Sequence, residues 1–117
     1  MAESSWTVGP VHQAPALVLH LWSVMEIQDG LGRPWTRHLL GIRTAESKVR
    51  VSTAIEVLDP VTRRALTRSG RVYELAQGPG FSEAGLAAWE VWKARYGIEE
   101  ERDVTEKVQQ LLHLAIN

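Results

Sequence analysis

Lys48-Val-Arg-Val-Ser-Thr-Ala-Ile-Glu-Val57 is the stretch that decides the fold class. Val49, Val51, Thr53, Ile55 and Val57 recur at every second position, and Lys48, Arg50, Ser52, Ala54 and Glu56 fill the alternate ones. Successive side chains of a strand point to opposite faces, so this pattern predicts a strand over 48–57 with one buried and one wet face. Its β-branched content agrees.

On the N-terminal side, Thr44 to Ser47 is a polar connection, and a second strand is predicted over 35–43. Gly41 lies within it and marks a bulge or a close backbone approach. Asp29-Gly-Leu-Gly-Arg-Pro34 is turn chemistry, because Gly supplies positive φ and Pro fixes its own φ. The residues before it, 16–28, alternate again. Leu17, Leu19, Leu21, Met25 and Ile27 take one face; Val18, His20, Trp22, Val24, Glu26 and Gln28 take the other. A strand is expected there. Residues 1–15 carry Gly9, Pro10 and Pro15 with no period and read as a flexible N-terminal arm, from which Trp6 and Val8 can dock.

On the C-terminal side, Asp59-Pro-Val-Thr62 fits a type I turn. Two short strands, 64–68 and 71–76, flank Ser69-Gly70. A two-residue loop would set Arg68 opposite Arg71, Leu66 opposite Tyr73 and Arg64 opposite Leu75. Gln77-Gly-Pro-Gly80 ends the sheet region. Ser82 is a fitting N-cap for a helix over 83–96, and Gly97 a fitting residue just past its end. Asp103-Val-Thr-Glu106 reads as a capping box opening a second helix over 104–115. Val104, Val108, Leu111, Leu112 and Ala115 form its apolar stripe. The expected class is therefore α+β: a five-stranded antiparallel sheet or small barrel, with two C-terminal helices sealing its apolar side. Residues 16–117 form a single domain, in keeping with a chain of 117 residues.

Composition narrows the function. There is no cysteine, which removes disulfides, thiolate metal sites and cysteine nucleophiles. Residues 1–15 contain Glu3 and no Lys or Arg, unlike the basic start of a secretory signal. The apolar run 14–27 is interrupted by His20, Ser23 and Glu26 and is too short to span a bilayer. The expectation is a cytoplasmic protein with no membrane contact. The net charge of −1 hides an uneven distribution, basic from Gly30 to Arg71 and acidic from Phe81 onward. Two halves that neutralise each other within one fold explain this most simply.

No catalytic, metal or cofactor signature emerges. His12, His20, His38 and His113 show no i, i+4 spacing and no HExxH pattern. His20 and His38, on adjacent strands near Glu26 or Asp29, are a conceivable acid–base pair, and satisfied sheet histidines explain them more simply. Ser69-Gly70 lacks the Gly that a nucleophile elbow needs two residues before its Ser. Gly78-Pro79-Gly80 precedes a helix but lacks the Lys of a phosphate loop.

Arg63, Arg64, Arg68 and Arg71 are the densest charge cluster. They read as solvated decoration of an edge hairpin, as partners for Glu99, Glu100, Glu101 or Asp103, or as a surface for nucleic acid or another anion. Nucleic-acid binding would want exposed aromatics, with Trp35 and Tyr73 as the platforms. A pI of about 6.4 places that reading second. Trp22, Trp89 and Trp92 are candidates to line a ligand pocket between sheet and helices. Leu111 and Leu114 on the final helix are candidates for self-association into a homodimer.

The stretch from Val51 to Leu75, with Trp35-Thr-Arg-His38 ahead of it, is similar to small uncharacterised bacterial proteins carried on mobile genetic elements such as integron cassettes. The resemblance covers the middle third of the chain. It implies a bacterial source and a small stand-alone protein, and it brings no activity or site residues. The leading expectation is a non-enzymatic accessory or protein-interaction module, self-associating. The alternatives are anion or nucleic-acid binding through the Arg63–Arg71 hairpin and small-ligand binding in the tryptophan-lined pocket.

Overall fold

The computed structural model describes residues 6–116. Its elements are β1 (Thr7–Val8), β2 (Leu17–Gln28), β3 (Trp35–Arg43), β4 (Lys48–Val51), β5 (Ile55–Asp59), β6 (Arg64–Thr67), β7 (Val72–Leu75), α1 (Glu83–Tyr96), β8 (Glu100–Asp103) and α2 (Thr105–Ile116). Seven strands run in the order β1-β5-β6-β7-β2-β3-β4, and β8 adds to the end of β2. The α+β class stands. The sheet, however, has eight strands and is mixed, where five antiparallel strands were expected.

β2 is paired on both edges. β3 follows it antiparallel. On the opposite edge, Leu17 to Leu19 pair parallel with Tyr73 to Leu75 of β7, and Trp22 bridges to Pro79. Val24 N–H donates to Thr105 Oγ1 at 2.9 Å, and the Val24 carbonyl accepts from Val104 N–H at 3.0 Å. Met25 to Gln28 then pair antiparallel with β8. Buried backbone polar groups must find partners, and β2 meets that demand by recruiting a strand, a loop, a helix start and another strand in turn.

A bulge in β2 redirects its side chains. His20 pairs with Ile42 and Ser23 with Leu40, so Leu21 and Trp22 together face the single residue Gly41. Leu21 takes a positive φ of 46°. A Cβ on Gly41 would lie 3.3 Å from the His20 carbonyl oxygen, so a side chain there would press the two strands apart by a few tenths of an ångström. A bulge shifts the alternation by one. Leu17, Leu19, Trp22 and Val24 therefore join one apolar cluster, with Leu58, Leu75 and Val104, Val108 and Leu112 of the α2 region. Met25 and Ile27 join another, with Leu40 and Trp89 of α1. The helices pack on opposite faces of β2, where strict alternation had put both on one side.

The 48–57 stretch is not one strand. It breaks at Ser52 to Ala54 into β4 and β5. Ser52 N–H still donates to the Leu39 carbonyl of β3 at 2.9 Å, while the Ala54 carbonyl already accepts from Arg68 N–H at 2.8 Å. The chain thus crosses from β4, at one end of the strand order, to β5, next to β1 at the other, within two residues. This curls the sheet strongly, yet no ladder joins β4 to β5, so it remains open. Ser52 is buried at the kink, and its hydroxyl accepts from Leu39 N–H and donates to the Thr53 carbonyl.

The hairpin register also differs. Arg64 faces Glu74, Ala65 faces Tyr73 and Leu66 faces Val72. Thr67 N–H donates to the Arg71 carbonyl across a three-residue loop, Arg68-Ser69-Gly70, with Gly70 at φ 88°. The extra loop residue slips the pairing by one. Arg68 and Arg71 are consequently not cross-strand neighbours.

Part of the stretch expected as a free arm is tied down. Thr7 and Val8 pair parallel with Val57 and Leu58. Val11 is buried and donates its N–H to Asp59 Oδ2 at 2.9 Å. Residues 1–5 lie outside the described residues.

The caps of α1 form as expected, whereas the capping box expected at α2 forms only in its Asp103 half. Ser82 Oγ accepts from Gly85 N–H at 2.9 Å, and Gly97 closes α1 in the left-handed conformation. At the start of α2, Asp103 Oδ1 accepts from Thr105 N–H at 2.9 Å.

Two buried carboxylates hold elements together. Glu26 is 4% exposed and accepts from Arg37 Nε at 2.9 Å and Arg102 Nη1 at 3.4 Å. The Arg37 guanidinium lies over the Trp6 ring and that of Arg102 over Trp35, at 4.0 and 3.7 Å from the ring centroids. Removing one partner of a buried pair strands the other charge. Glu26→Ala should therefore cost about 3–5 kcal/mol of unfolding free energy. Denaturant titration checks this, and a loss under about 1 kcal/mol, the usual worth of an exposed pair, refutes the role given to Glu26.

Asp59 gives a pH signature. Burial pushes its pKa up, but the bonds from Val11, Thr62 and Val61 outweigh this and hold it below the ordinary carboxylate value. A depressed folded pKa stabilises above the unfolded value and is lost as pH falls through the folded one. The Val11 amide should lose its hydrogen-exchange protection as pH drops below about 4. Asp59→Asn should weaken that protection already at neutral pH. Full protection of the Val11 amide in that variant contradicts the anchoring.

Candidate functional site

The face of β2 and β3 beneath α1 carries the site. Cross-strand pairing sets His38 opposite Met25 and Thr36 opposite Ile27, so all four share that face. The last turns of α1 cover it with Trp92 and Tyr96, one helical turn apart. Trp92 stacks on Trp89 with centroids 5.0 Å apart and planes at 11°. It meets His38 at 5.0 Å and Tyr96 at 5.1 Å, both tilted.

β8 fixes α1 at this height. Glu101 accepts from Trp89 Nε1 at 3.1 Å and forms a short ion pair with Lys93. Burial opposes the charge on both groups. Their mutual bond prevails, raising the Lys93 pKa together with Glu90 and, with the Trp89 bond, lowering that of Glu101. The aromatic row is thereby held from behind.

In front of the row lies a cleft of about 420 Å³. Thr36 and His38 line its sheet side, and Trp92, Tyr96 and Ile98 its helix side. Asp29, Arg33 and Pro34 from the β2–β3 turn and Arg68 from the β6–β7 loop complete it. The protonation of His38 follows from its contacts. Nδ1 is 2.9 Å from the Ser52 carbonyl, which only accepts, so Nδ1 carries the proton. Nε2 then accepts from the Thr36 hydroxyl at 2.8 Å. Burial lowers the His38 pKa, the Ser52 bond works against this, and the positive charge of Arg68 lowers it further. His38 is neutral at pH 7, and the Thr36 oxygen keeps lone pairs for a donor in the cleft.

The residues singled out from sequence disperse. Trp22 is fully buried in the α2-side cluster, its Nε1 3.4 Å from the Gln77 carbonyl oxygen. Trp89 and Trp92 lie together on the opposite face, and only Trp92 lines the cleft. Arg63 donates to the carbonyls of Leu75 and Gln77. Arg64 donates to the Gln13 carbonyl at 3.2 Å and lies 4.0 Å from Glu74. Arg71 is exposed, and Arg68 alone of the four reaches the cleft. Leu111 packs against the α2-side cluster, while Leu114 is 69% exposed. His20 contacts Thr44 Oγ1 at 3.2 Å and pairs with Ile42, away from His38. Sequence reasoning missed Arg33, Thr36 and Tyr96. The parity shared by Thr36 and His38, and the i, i+4 spacing of Trp92 and Tyr96, were the signals for two of them. Among the described residues no group of three His, Asp or Glu could hold a metal ion, and no helix is long and apolar enough to cross a membrane.

No protein-family model matches the chain, and no curated protein or solved structure shows significant similarity to it. Function must be read from the site's own chemistry.

His38 supplies a second pH signature. A lowered folded pKa means stability is full above the ordinary value of 6.5 and declines as pH falls through the lowered one. Unfolding free energy should drop as pH falls below about 6.5, and His38→Gln should flatten that slope. An unchanged slope in the variant, measured by denaturation across this range, excludes His38 as its source.

Proposed function

We propose that the protein binds a small, flat organic molecule in the cleft between α1 and the β2–β3 face. Trp92 carries this reading. It is half-buried, braced by Trp89 on one side, and turned toward a cavity whose volume lies in the range of small-ligand pockets, about 300–1,000 Å³. Aromatic walls with a few convergent polar groups are the usual makeup of such pockets.

The other readings have less behind them. Trp35 and Tyr73, the platforms a nucleic-acid surface would use, are 7% and 2% exposed and offer no ring face for base stacking. The Arg63 to Arg71 guanidiniums diverge rather than forming a strip. Of the exposed large apolar side chains, Leu31, Val61 and Leu114 sit on separate elements, and Leu86, Val91 and Tyr96 of α1 are five residues apart and so point in different directions round the helix, which gives little support to a large protein interface. An accessory role remains compatible with ligand binding, since a small domain can act by sensing a metabolite.

A thermal-shift screen of flat aromatic compounds should give ligands that raise the melting midpoint by mass action. Trp92→Ala and Tyr96→Ala should each weaken such a ligand by about 3–10-fold, the loss of one aromatic contact worth about 0.5–1.5 kcal/mol. Trp22→Phe, on the opposite face, should leave affinity unchanged. A flat screen, or equal affinity in the Trp92 and Tyr96 variants and the parent, sinks the proposal.

A further inference from the structure

Several cations in this fold are engaged. Arg37 and Arg102 hold Glu26, Arg43 pairs with Glu46, Arg63 and Arg64 bond backbone carbonyls, and Lys93 pairs with Glu90 and Glu101. Arg33 and Arg68 make no ion pair or hydrogen bond through their side chains among the described residues, although they come from two separate turns and line the same cleft. With His38 neutral, these two guanidiniums face one carboxylate, Asp29, and the cleft carries a net positive charge.

We propose that the ligand is an aromatic carboxylate: its ring lies against Trp92 and Tyr96, and its single negative charge sits between Arg33 and Arg68. This rests on the binding role proposed above and adds the chemical class of what is bound. Each part of the cleft selects one feature. A guanidinium presents a planar fork of N–H donors that matches a carboxylate's two oxygens. Asp29 penalises a second negative charge nearby, which favours a monoanion over a phosphate dianion. Thr36 donates its own proton to His38, so its oxygen offers an acceptor to a ligand N–H or O–H. An anion would also tie the β2–β3 turn to the β6–β7 loop, two segments that no ion pair links among the described residues.

The test uses the full chain and two probes of one shape, indole-3-carboxylate and its neutral counterpart indole-3-carboxamide, titrated by calorimetry near neutral pH at about 50 mM salt. The carboxylate should bind about tenfold or more tightly than the carboxamide, as expected of a charge-assisted bidentate contact. Arg33→Gln and Arg68→Gln should each remove most of that advantage, and the double variant should bind both probes alike. The two side chains are exposed and unbonded, so the variants should keep the parent melting temperature, which checks their folding. Equal binding of the two probes by the parent protein overturns the anion inference and leaves the ligand-binding role standing. A preference for the carboxylate that survives the double variant overturns the assignment to Arg33 and Arg68. No binding of either probe at millimolar concentration overturns the inference, and the thermal-shift screen then decides separately whether the cleft binds anything.

Discussion

A single extra residue in β2 organises the molecule. The bulge at Leu21 and Trp22 lets one strand send Leu19, Trp22 and Val24 to one apolar cluster and Met25 and Ile27 to the other. Without it, strict alternation would bring Trp22 and Met25 out on the wrong sides, and each helix would lose its floor. The bulge is held by its neighbours. Gly41 allows β3 to pass opposite, and Gly80 N–H donates to the Trp22 carbonyl at 2.9 Å. A Cβ at Gly80 would come within 2.9 Å of Leu21 Cδ2, so a side chain there would have to turn the exposed Leu21 side chain aside. The Gly-Pro-Gly segment is thus an edge partner of the bulge as well as a break before α1.

β8 performs the next task. Its four residues, Glu100 to Asp103, are all charged and all exposed, yet their side chains alternate in purpose. Glu101 reaches Trp89 and Lys93 of α1, while Arg102 reaches Glu26 and the face of Trp35. One charged strand clamps the α1 layer to the sheet. Such strands gain their stability from pairing and specific contacts, with little from burial. Interactions of this kind respond to pH and salt far more than an apolar ladder does.

The cleft is a by-product of this construction. With Trp89 and Lys93 of α1 held to Glu101, the space in front of the helix is walled by Trp92 and Tyr96. Two turns then converge on its rim with unengaged guanidiniums. His38 and Thr36 are locked at its floor by the Ser52 carbonyl, the same residue that marks the kink between β4 and β5. The kink that curls the sheet therefore also sets the tautomer that faces the cleft.

Local chemistry in the sequence determined the punctuation and the helices. Ser82, Gly97 and Asp103 act through atoms a few residues away, so α1 matched its expected bounds and α2 came within one residue of them. Period-two alternation determined that residues up to Ala76 form a sheet. What remained was decided by contacts between distant segments. The bulge in β2 is set against Gly41 of β3 and Gly80, both distant in sequence; the split of 48–57 depends on β3 and β6 competing for one chain; β8 has no apolar pattern and is a strand because the end of β2 has a free edge. For the site, Trp92 was legible as an aromatic near a helix end. Its partners Arg33, Thr36, His38 and Arg68 come from two turns and a strand. Only the folded sheet brings them together, because side-chain period describes a face and says nothing about which distant loop will close over it.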